Sequence, residues 1–182
     1  MPSTLAHPPR RALVLATIAA VGFGLPSAPA LAQDDTALAR QVFADVNKRL
    51  PEMKRVTTKA KRADVSYQSA VKAWAESGGA IRKIEVTDLD DSGDVVSEYY
   101  YQSGALVFAY VAVKGFNDKG KQATRVEERQ YFRDEKMFKW LSGLEKAPVP
   151  SASKDFVTEG ALRSNASRTY LRAAQAALLA GK

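Results

Sequence analysis

The chain alternates apolar and polar residues from Asp64 to Leu141, and turn-forming residues interrupt this pattern about every ten residues. The alternating segments are SYQSAVKAW, IRKIEVT, VVSEYYY, LVFAYVAV, ATRVEERQYF and MFKWL. A period of two is typical of half-buried β-strands. Because the links between segments are too short to hold a crossover helix, consecutive strands must pair antiparallel. The sequence therefore predicts an antiparallel meander of about six strands over residues 64–142.

The segments on either side of this region have the period of a helix. In residues 33–51 apolar side chains recur at steps of four, next to Phe43, with acidic residues before them and a proline after them. These residues are Leu38, Val42, Val46 and Leu50, preceded by Asp34 and Asp35 and followed by Pro51. The pattern predicts an amphipathic helix.

Residues 154–180 have a helical composition again, with Ser153 as a helix start and an interruption near Gly160. The apolar side of this segment is predicted to hold Phe156, Leu162, Ala166, Tyr170, Ala173 and Ala177. The basic stretch KRVTTKAKR, Lys54–Arg62, is interpreted as a solvated connector, and residues 143–153 as a linker. Together the segments predict an α+β fold.

The N-terminal residues 1–32 have the pattern of a secretory signal peptide. Arg10 and Arg11 precede the apolar run Ala12–Leu25, and Ala30-Leu31-Ala32 forms a small-x-small cleavage motif. Cleavage after Ala32 would leave residues 33–182 as a single α+β domain. The chain has no cysteine and thus no site for a lipid anchor, and no second apolar segment is long enough to span a membrane. The sequence predicts a soluble periplasmic or secreted protein.

The residue types that the sequence lacks exclude several classes of catalytic site and metal site. The only histidine, His7, lies in the predicted leader, and cysteine is absent. The mature chain therefore lacks Ser-His-Asp and Cys-His machinery and the usual ligands of zinc and copper. No glycine-rich phosphate loop occurs either, so no cofactor is predicted. Carboxylate-pair chemistry and Lys or Tyr acid–base chemistry stay open, and the balance favours a protein that is not an enzyme.

The motif DLDDSGD resembles a calcium-binding loop, because oxygen-bearing side chains alternate in it around Gly93. The candidate metal-ligating residues are Asp88, Asp90, Ser92 and Asp94. An EF-hand loop needs a Glu at its twelfth position, and counting from Asp88 reaches Tyr99 instead. Asp and Gly are also the standard residues of a hairpin turn, so the motif is interpreted as a turn, with calcium as the alternative.

Alternation assigns the aromatic and charged residues to the two faces of the sheet. Tyr99 and Tyr101 are predicted to lie in the core, and Tyr100 on the outer face. Leu106, Phe108 and Tyr110 are predicted to share one face of the next strand. Exposed aromatic and arginine side chains are typical of binding surfaces. The candidate binding surface consists of Tyr100, Arg125, Arg129, Tyr131 and Trp140.

Three stretches between residues 67 and 141 carry a resemblance to known proteins. They are EYYYQSGALVFAY at Glu98–Tyr110, VEERQYF at Val126–Phe132 and KMFKW at Lys136–Trp140. This pattern resembles small exported bacterial proteins of unassigned function, and the tyrosine-rich hairpin is similar to MORN-variant repeats. The strands of a repeat array would reiterate one unit, whereas these differ from one another. The resemblance implies a meander and carries no catalytic residue.

These observations favour an exported binding module that acts through the open face of its sheet. Its partner would be an envelope protein or an anionic envelope polymer, and nucleic acid is not expected. One alternative is a cone-shaped ligand-binding protein or enzyme with an apolar pocket lined by Tyr101, Phe108, Tyr110 and Trp140. Another is a structural homodimer formed through an edge strand. The oligomeric state is left open.

Overall fold

The computed structural model describes residues 36–90, 93–116, 122–143 and 145–181. Helix α1 (Ala37–Arg49) comes first and continues as a 3-10 turn, Leu50–Glu52. The strands are β1 (Lys54–Ala60), β2 (Ser69–Ala75), β3 (Ile81–Asp90), β4 (Gly93–Gln102), β5 (Ala105–Phe116), β6 (Gln122–Arg133), β7 (Lys136–Ser142) and β8 (Ala147–Pro148). Helix α2 (Lys154–Ala180) follows the last strand. Two helices and an antiparallel sheet confirm the predicted α+β class.

The described strands form one antiparallel sheet in which spatial order follows chain order from β1 to β8. The predicted meander is confirmed, with eight strands instead of about six. One of the two extra strands, β8, is two residues long and lies in the predicted linker, where it pairs with the end of β7.

The other extra strand is β1, and the interpretation of Lys54–Arg62 as a connector was wrong. Lys54–Ala60 pairs along its whole length with β2, and Val56 lies opposite Ala73. Because β1 is an edge strand, four of its seven side chains are exposed, and three of these four carry charge, so the apolar alternation that marks the other strands is missing. The residues Val56, Thr57 and Thr58 are β-branched, which was the available signal.

The two helices cover opposite faces of the sheet, and each covers a separate core. Helix α1 packs on β4 and β5, whereas α2 contacts the first strands of the sheet and β7. The α1-face core is built from Ala39, Val42, Val46, Met53, Tyr100, Val107, Phe108 and Tyr131. The α2-face core includes Val71, Ile84, Val86, Tyr99, Tyr101, Phe132, Tyr170 and Leu178. The central strands are therefore buried on both sides.

In α1 the predicted apolar face is confirmed at Val42 and Val46, whereas Ala39 is buried in place of Leu38. Leu38 is 52 % exposed, while Ala39, Val42 and Val46 are buried against the sheet. Their spacing of three and four residues keeps them on one side of the helix. The predicted start at Asp34 and Asp35 lies outside the described residues.

Helix α2 is continuous, and the predicted interruption near Gly160 was wrong. The predicted start is confirmed, because the Oγ atom of Ser153 accepts a hydrogen bond from the backbone N–H of Phe156 at 3.2 Å. A Cβ atom at position 160 would lie 3.1 Å from the Cβ of Met137. Gly160 thus marks the place where the helix approaches β7 closely rather than a break in it.

A β-bulge in the β4–β5 hairpin changes the predicted faces of β5. Tyr100 lies opposite Phe108, but Tyr101 lies opposite Leu106, so Val107 is an extra residue. Leu106 consequently belongs to the α2-face core and Phe108 to the α1-face core. The prediction that Leu106 and Phe108 share a face was wrong for this reason.

Across the described ranges, neither helix combines the length and the hydropathy that crossing a membrane would require.

Candidate functional site

The residues of the predicted binding surface do not form one exposed surface. Tyr100 is 0 % exposed beneath α1, and Tyr131 is 8 % exposed. Trp140 belongs to the opposite face, where its ring packs 6.5 Å from that of Phe156 in α2. Arg129 is half-buried on the α1 face, and the side chain of Arg125 lies outside the described residues. The predicted exposure of Tyr100 was wrong because α1 covers the face that alternation assigned to solvent.

The predicted calcium loop lies at the β3–β4 connection. Asp88 and Asp94 belong to these two strands, while Ser92 and the side chain of Asp90 lie outside the described residues. Within the described ranges no three His, Cys, Asp or Glu side chains come together as a metal site would need. The calcium interpretation stays a prediction.

A groove of about 620 Å³ lies beside α1, on the part of the sheet face that the helix leaves uncovered. We call it the α1-face groove. It is larger than three other surface grooves of the described residues, of about 490, 340 and 520 Å³. Its lining consists of Ala39, Arg40, Phe43, Glu98, Phe108, Tyr110, Arg129, Tyr131, Leu141 and Lys146.

The floor of the α1-face groove follows from strand pairing. Phe108 lies opposite Tyr131, and Tyr110 lies opposite Arg129, so these four side chains are neighbours on one face of β5 and β6. The rings of Phe108 and Tyr131 are 5.2 Å apart between centroids. Phe43 of α1 closes the side, with its ring edge-on to Phe108 at 5.8 Å. Aromatic contacts thus hold the groove walls in place.

Arginine and lysine side chains add positive charge to this aromatic lining. The guanidinium of Arg129 lies 5.6 Å from the ring centroid of Tyr110, and its Nη2 donates to Glu127 at 2.9 Å. The Nη1 atom of Arg129 is shielded from solvent and has no hydrogen-bond partner among the described residues. Lys146 lies exposed at the rim, and Arg40 contributes a third cation from α1.

The one acidic side chain in the lining, Glu98, is held by a buried polar network. Lys83 Nζ lies 2.9 Å from Glu98 Oε1, and the hydroxyl of Tyr100 donates to Glu98 Oε2 at 2.6 Å. Asn47 of α1 donates to the Tyr100 hydroxyl at 3.1 Å. Burial and the nearby Glu98 raise the pKa of Tyr100, so its hydroxyl stays a neutral donor. Glu98 therefore presents a neutralised carboxylate to the groove.

A second polar cluster lies under α2, on the opposite face of the sheet. The amide of Gln130 donates to Glu128 at 3.2 Å and to Glu159 at 3.1 Å. Arg163 binds Glu159 through Nε at 2.9 Å and Ser97 through Nη1 at 3.2 Å. Burial and the charge of Glu159 raise the pKa of Glu128. This cluster joins α2 to β4 and β6.

Sequence reasoning found part of the groove and missed the rest. Phe108 and Tyr110 of the predicted pocket line it, whereas Tyr101 and Trp140 lie on the α2 face. Leu141 and Lys146 were missed because they reach the groove only through the pairing of β7 and the turn after it. The sequence placed Phe43 on α1 without a functional role, and the structure shows that its ring is 41 % exposed at the groove.

Compared with known proteins, the chain matches no family model, no curated protein and no solved structure. The resemblance to exported proteins with a MORN-like hairpin thus stays an expectation, and the candidate site stands on its geometry alone.

Proposed function

We propose that the protein is an exported, non-enzymatic binding protein that holds a small ligand with an apolar body in the α1-face groove. The observation that carries the proposal is the lining of a groove of about 620 Å³ by Phe43, Phe108, Tyr110 and Tyr131. Small-molecule sites are typically concave, largely apolar, and about 300 to 1,000 Å³ in volume. The export part of the proposal rests on the signal-peptide pattern of residues 1–32.

The packing of the helices favours a groove over an open sheet face. The sequence favoured a broad exposed surface, but α1 and α2 bury the central strands on both sides. The uncovered part of the α1 face is the groove itself, so a ligand that binds there needs to be small. In this proposal, an envelope protein or polymer would supply the small ligand or receive it.

Binding is tested with a neutral fluorescent probe, N-phenyl-1-naphthylamine, whose emission rises when it enters an apolar site. We expect saturable binding, and we expect Phe43→Ala to weaken it several-fold, because the ring forms one wall of the groove. The matched control is Val157→Ala, an exposed apolar side chain on α2. Saturable binding that Phe43→Ala leaves unchanged would place the probe elsewhere and contradict the proposal.

Export is tested separately by expressing the full chain in a bacterial host and sequencing the N-terminus of the protein recovered from the envelope fraction. Cleavage after Ala32 would give a chain that starts at Gln33. A protein that stays in the cytoplasm with its leader intact would remove the export part of the proposal and leave the binding part standing.

A further inference from the structure

We infer that the ligand of the α1-face groove is an amphiphile with an oxyanion headgroup, such as a carboxylate, which Arg129 binds. This inference rests on the proposed function and adds the chemical class of the ligand.

The lining of the groove carries an excess of positive charge. Among the described residues it contains the cations Arg40, Arg129 and Lys146 and the single acid Glu98. Glu98 already binds Lys83 and the hydroxyl of Tyr100. Glu127 forms an ion pair with Arg129. With Arg40 left out of the count, the three cations Arg129, Lys146 and Lys83 oppose the two carboxylates of Glu98 and Glu127. An anionic group that enters the groove therefore meets a net attractive field, strengthened by the apolar walls around it.

Arg129 has the geometry of an incomplete oxyanion site. Its Nη2 atom donates to Glu127, and its Cζ atom lies 5.6 Å from the ring centroid of Tyr110, so the guanidinium lies at the groove. Its Nη1 atom is buried without a hydrogen-bond partner in the described part of the chain. Leaving a buried donor of a charged group unsatisfied is unfavourable, and a guanidinium presents paired N–H groups that match a carboxylate. A carboxylate headgroup beside Tyr110 would supply the acceptor that Nη1 lacks.

The same contacts disfavour a cationic ligand. Aromatic rings attract cations, but here the protein already places its own cations on two of them. Arg129 lies on Tyr110, and Lys139 Nζ lies 5.9 Å from the ring centroid of Tyr131. A ligand ammonium would have to approach these charges at close range. The aromatic rings are therefore assigned to the apolar body of the ligand and the arginine to its charged end.

The inference is tested with three probes of equal chain length: dodecanoate, dodecanol and dodecylamine. Each probe is titrated against N-phenyl-1-naphthylamine bound to the full protein, and the loss of dye fluorescence measures displacement. All probe concentrations stay below the one at which the probe forms micelles. We expect dodecanoate to displace the dye at a concentration about 10-fold or more below that of dodecanol, as for a hydrogen bond to a charged group. Dodecylamine should be the weakest of the three.

Two substitutions test which side chains cause the preference for dodecanoate over dodecanol. Arg129→Gln should bring dodecanoate and dodecanol to equal potency while the neutral dye still binds. Lys146→Gln, at an exposed rim position, should reduce the preference by a smaller factor. The control is Arg172→Gln, an exposed arginine on α2 on the other side of the sheet. Thermal unfolding verifies that each variant is folded.

The outcomes separate the inference from the function on which it rests. If dodecanol competes as well as dodecanoate, or if both groove variants keep the full preference for dodecanoate, the oxyanion assignment is overturned and the binding function stands. If the dye does not bind at all, the proposed function fails and the assignment fails with it.

Discussion

At the scale of single residues, the most informative feature is a run of three consecutive tyrosines that are all buried. Tyr99 and Tyr101 point to the α2 face and Tyr100 to the α1 face, because successive side chains of a strand alternate. Two of the three hydroxyls are hydrogen-bonded to different helices. The Tyr100 hydroxyl bonds to Asn47 of α1, and the Tyr101 hydroxyl bonds to Ser167 of α2 at 2.9 Å. One short stretch of β4 thus fixes both helices.

We predict that Tyr100→Phe lowers the free energy of unfolding by about 1 to 2 kcal/mol, because Glu98 loses a donor and Asn47 loses an acceptor in a buried site. Urea denaturation monitored by circular dichroism measures the change. The control is Tyr110→Phe on β5, whose hydroxyl makes no hydrogen bond within the described residues and whose loss should change stability by less. Equal effects of the two substitutions would show that the network contributes little.

We predict that Glu128→Gln raises the melting temperature at neutral pH. Burial and Glu159 raise the pKa of Glu128 above its ordinary value of 4.5, so the folded protein holds this proton more tightly than the unfolded chain. The stability that comes from protonation is complete below the ordinary pKa and is lost as the pH rises through the raised pKa. Gln stays neutral and can still accept from Gln130, so its advantage should appear at about pH 7 and vanish at about pH 4.

Glu159→Gln is the contrasting variant, since it removes the carboxylate that binds Arg163. It should destabilise the protein at about pH 7 by about 1.5 to 3 kcal/mol, the range for a hydrogen bond to a charged group. If both substitutions shifted the melting temperature in the same direction at neutral pH, the unequal roles assigned to the two carboxylates would be wrong.

At the scale of elements, the close approach of α2 to β7 depends on one glycine. We predict that Gly160→Val destabilises the protein by about 1 to 3 kcal/mol more than Ala161→Val. Both changes place a β-branched residue in the helix, but only position 160 faces Met137, whereas Ala161 is exposed. Denaturant midpoints of the two variants give the difference. Equal midpoints would mean that Met137 moves aside freely.

The elements also show where sequence reasoning succeeds. The antiparallel meander and the burial of Tyr99 and Tyr101 follow from alternation, which is a local property of the chain. Alternation gives the face of Tyr100 but not its exposure, because that depends on where α1 packs. The extra residue Val107 reverses the phase of β5, and only the pairing with β4 reveals it. β1 was missed because an edge strand needs charge on the side chains that elsewhere would be apolar.

The composition of the groove is even harder to predict from local sequence patterns than the faces of the strands. Phe43, Tyr110, Arg129 and Lys146 come from four separate segments, and no spacing along the chain connects them. Composition indicated that aromatic and arginine side chains would meet on a sheet face. Which of them meet is decided by the helix that covers the rest of that face.

At the scale of the whole molecule, the described sheet has a helix on each face and two edge strands, β1 and β8. The edge at β8 is two residues long, whereas β1 offers seven residues and hydrogen-bonds to β2 on one side only within the described part of the chain. An unpaired strand edge is a template for pairing with another chain, and charged side chains along it oppose such pairing. Arg55 and Lys59 are exposed on β1 and are placed to have this effect.

We predict that the double substitution Arg55→Thr and Lys59→Thr makes the protein self-associate, because it removes two charges from the edge and adds residues that favour strands. Sedimentation velocity over a range of protein concentrations measures the association. The control removes two exposed charges from the helices instead, Lys48→Thr and Lys154→Thr, and should leave the sedimentation coefficient unchanged. If the unmodified protein already sediments as a dimer and the edge substitutions dissociate it, β1 would be the interface of a homodimer rather than a protected edge.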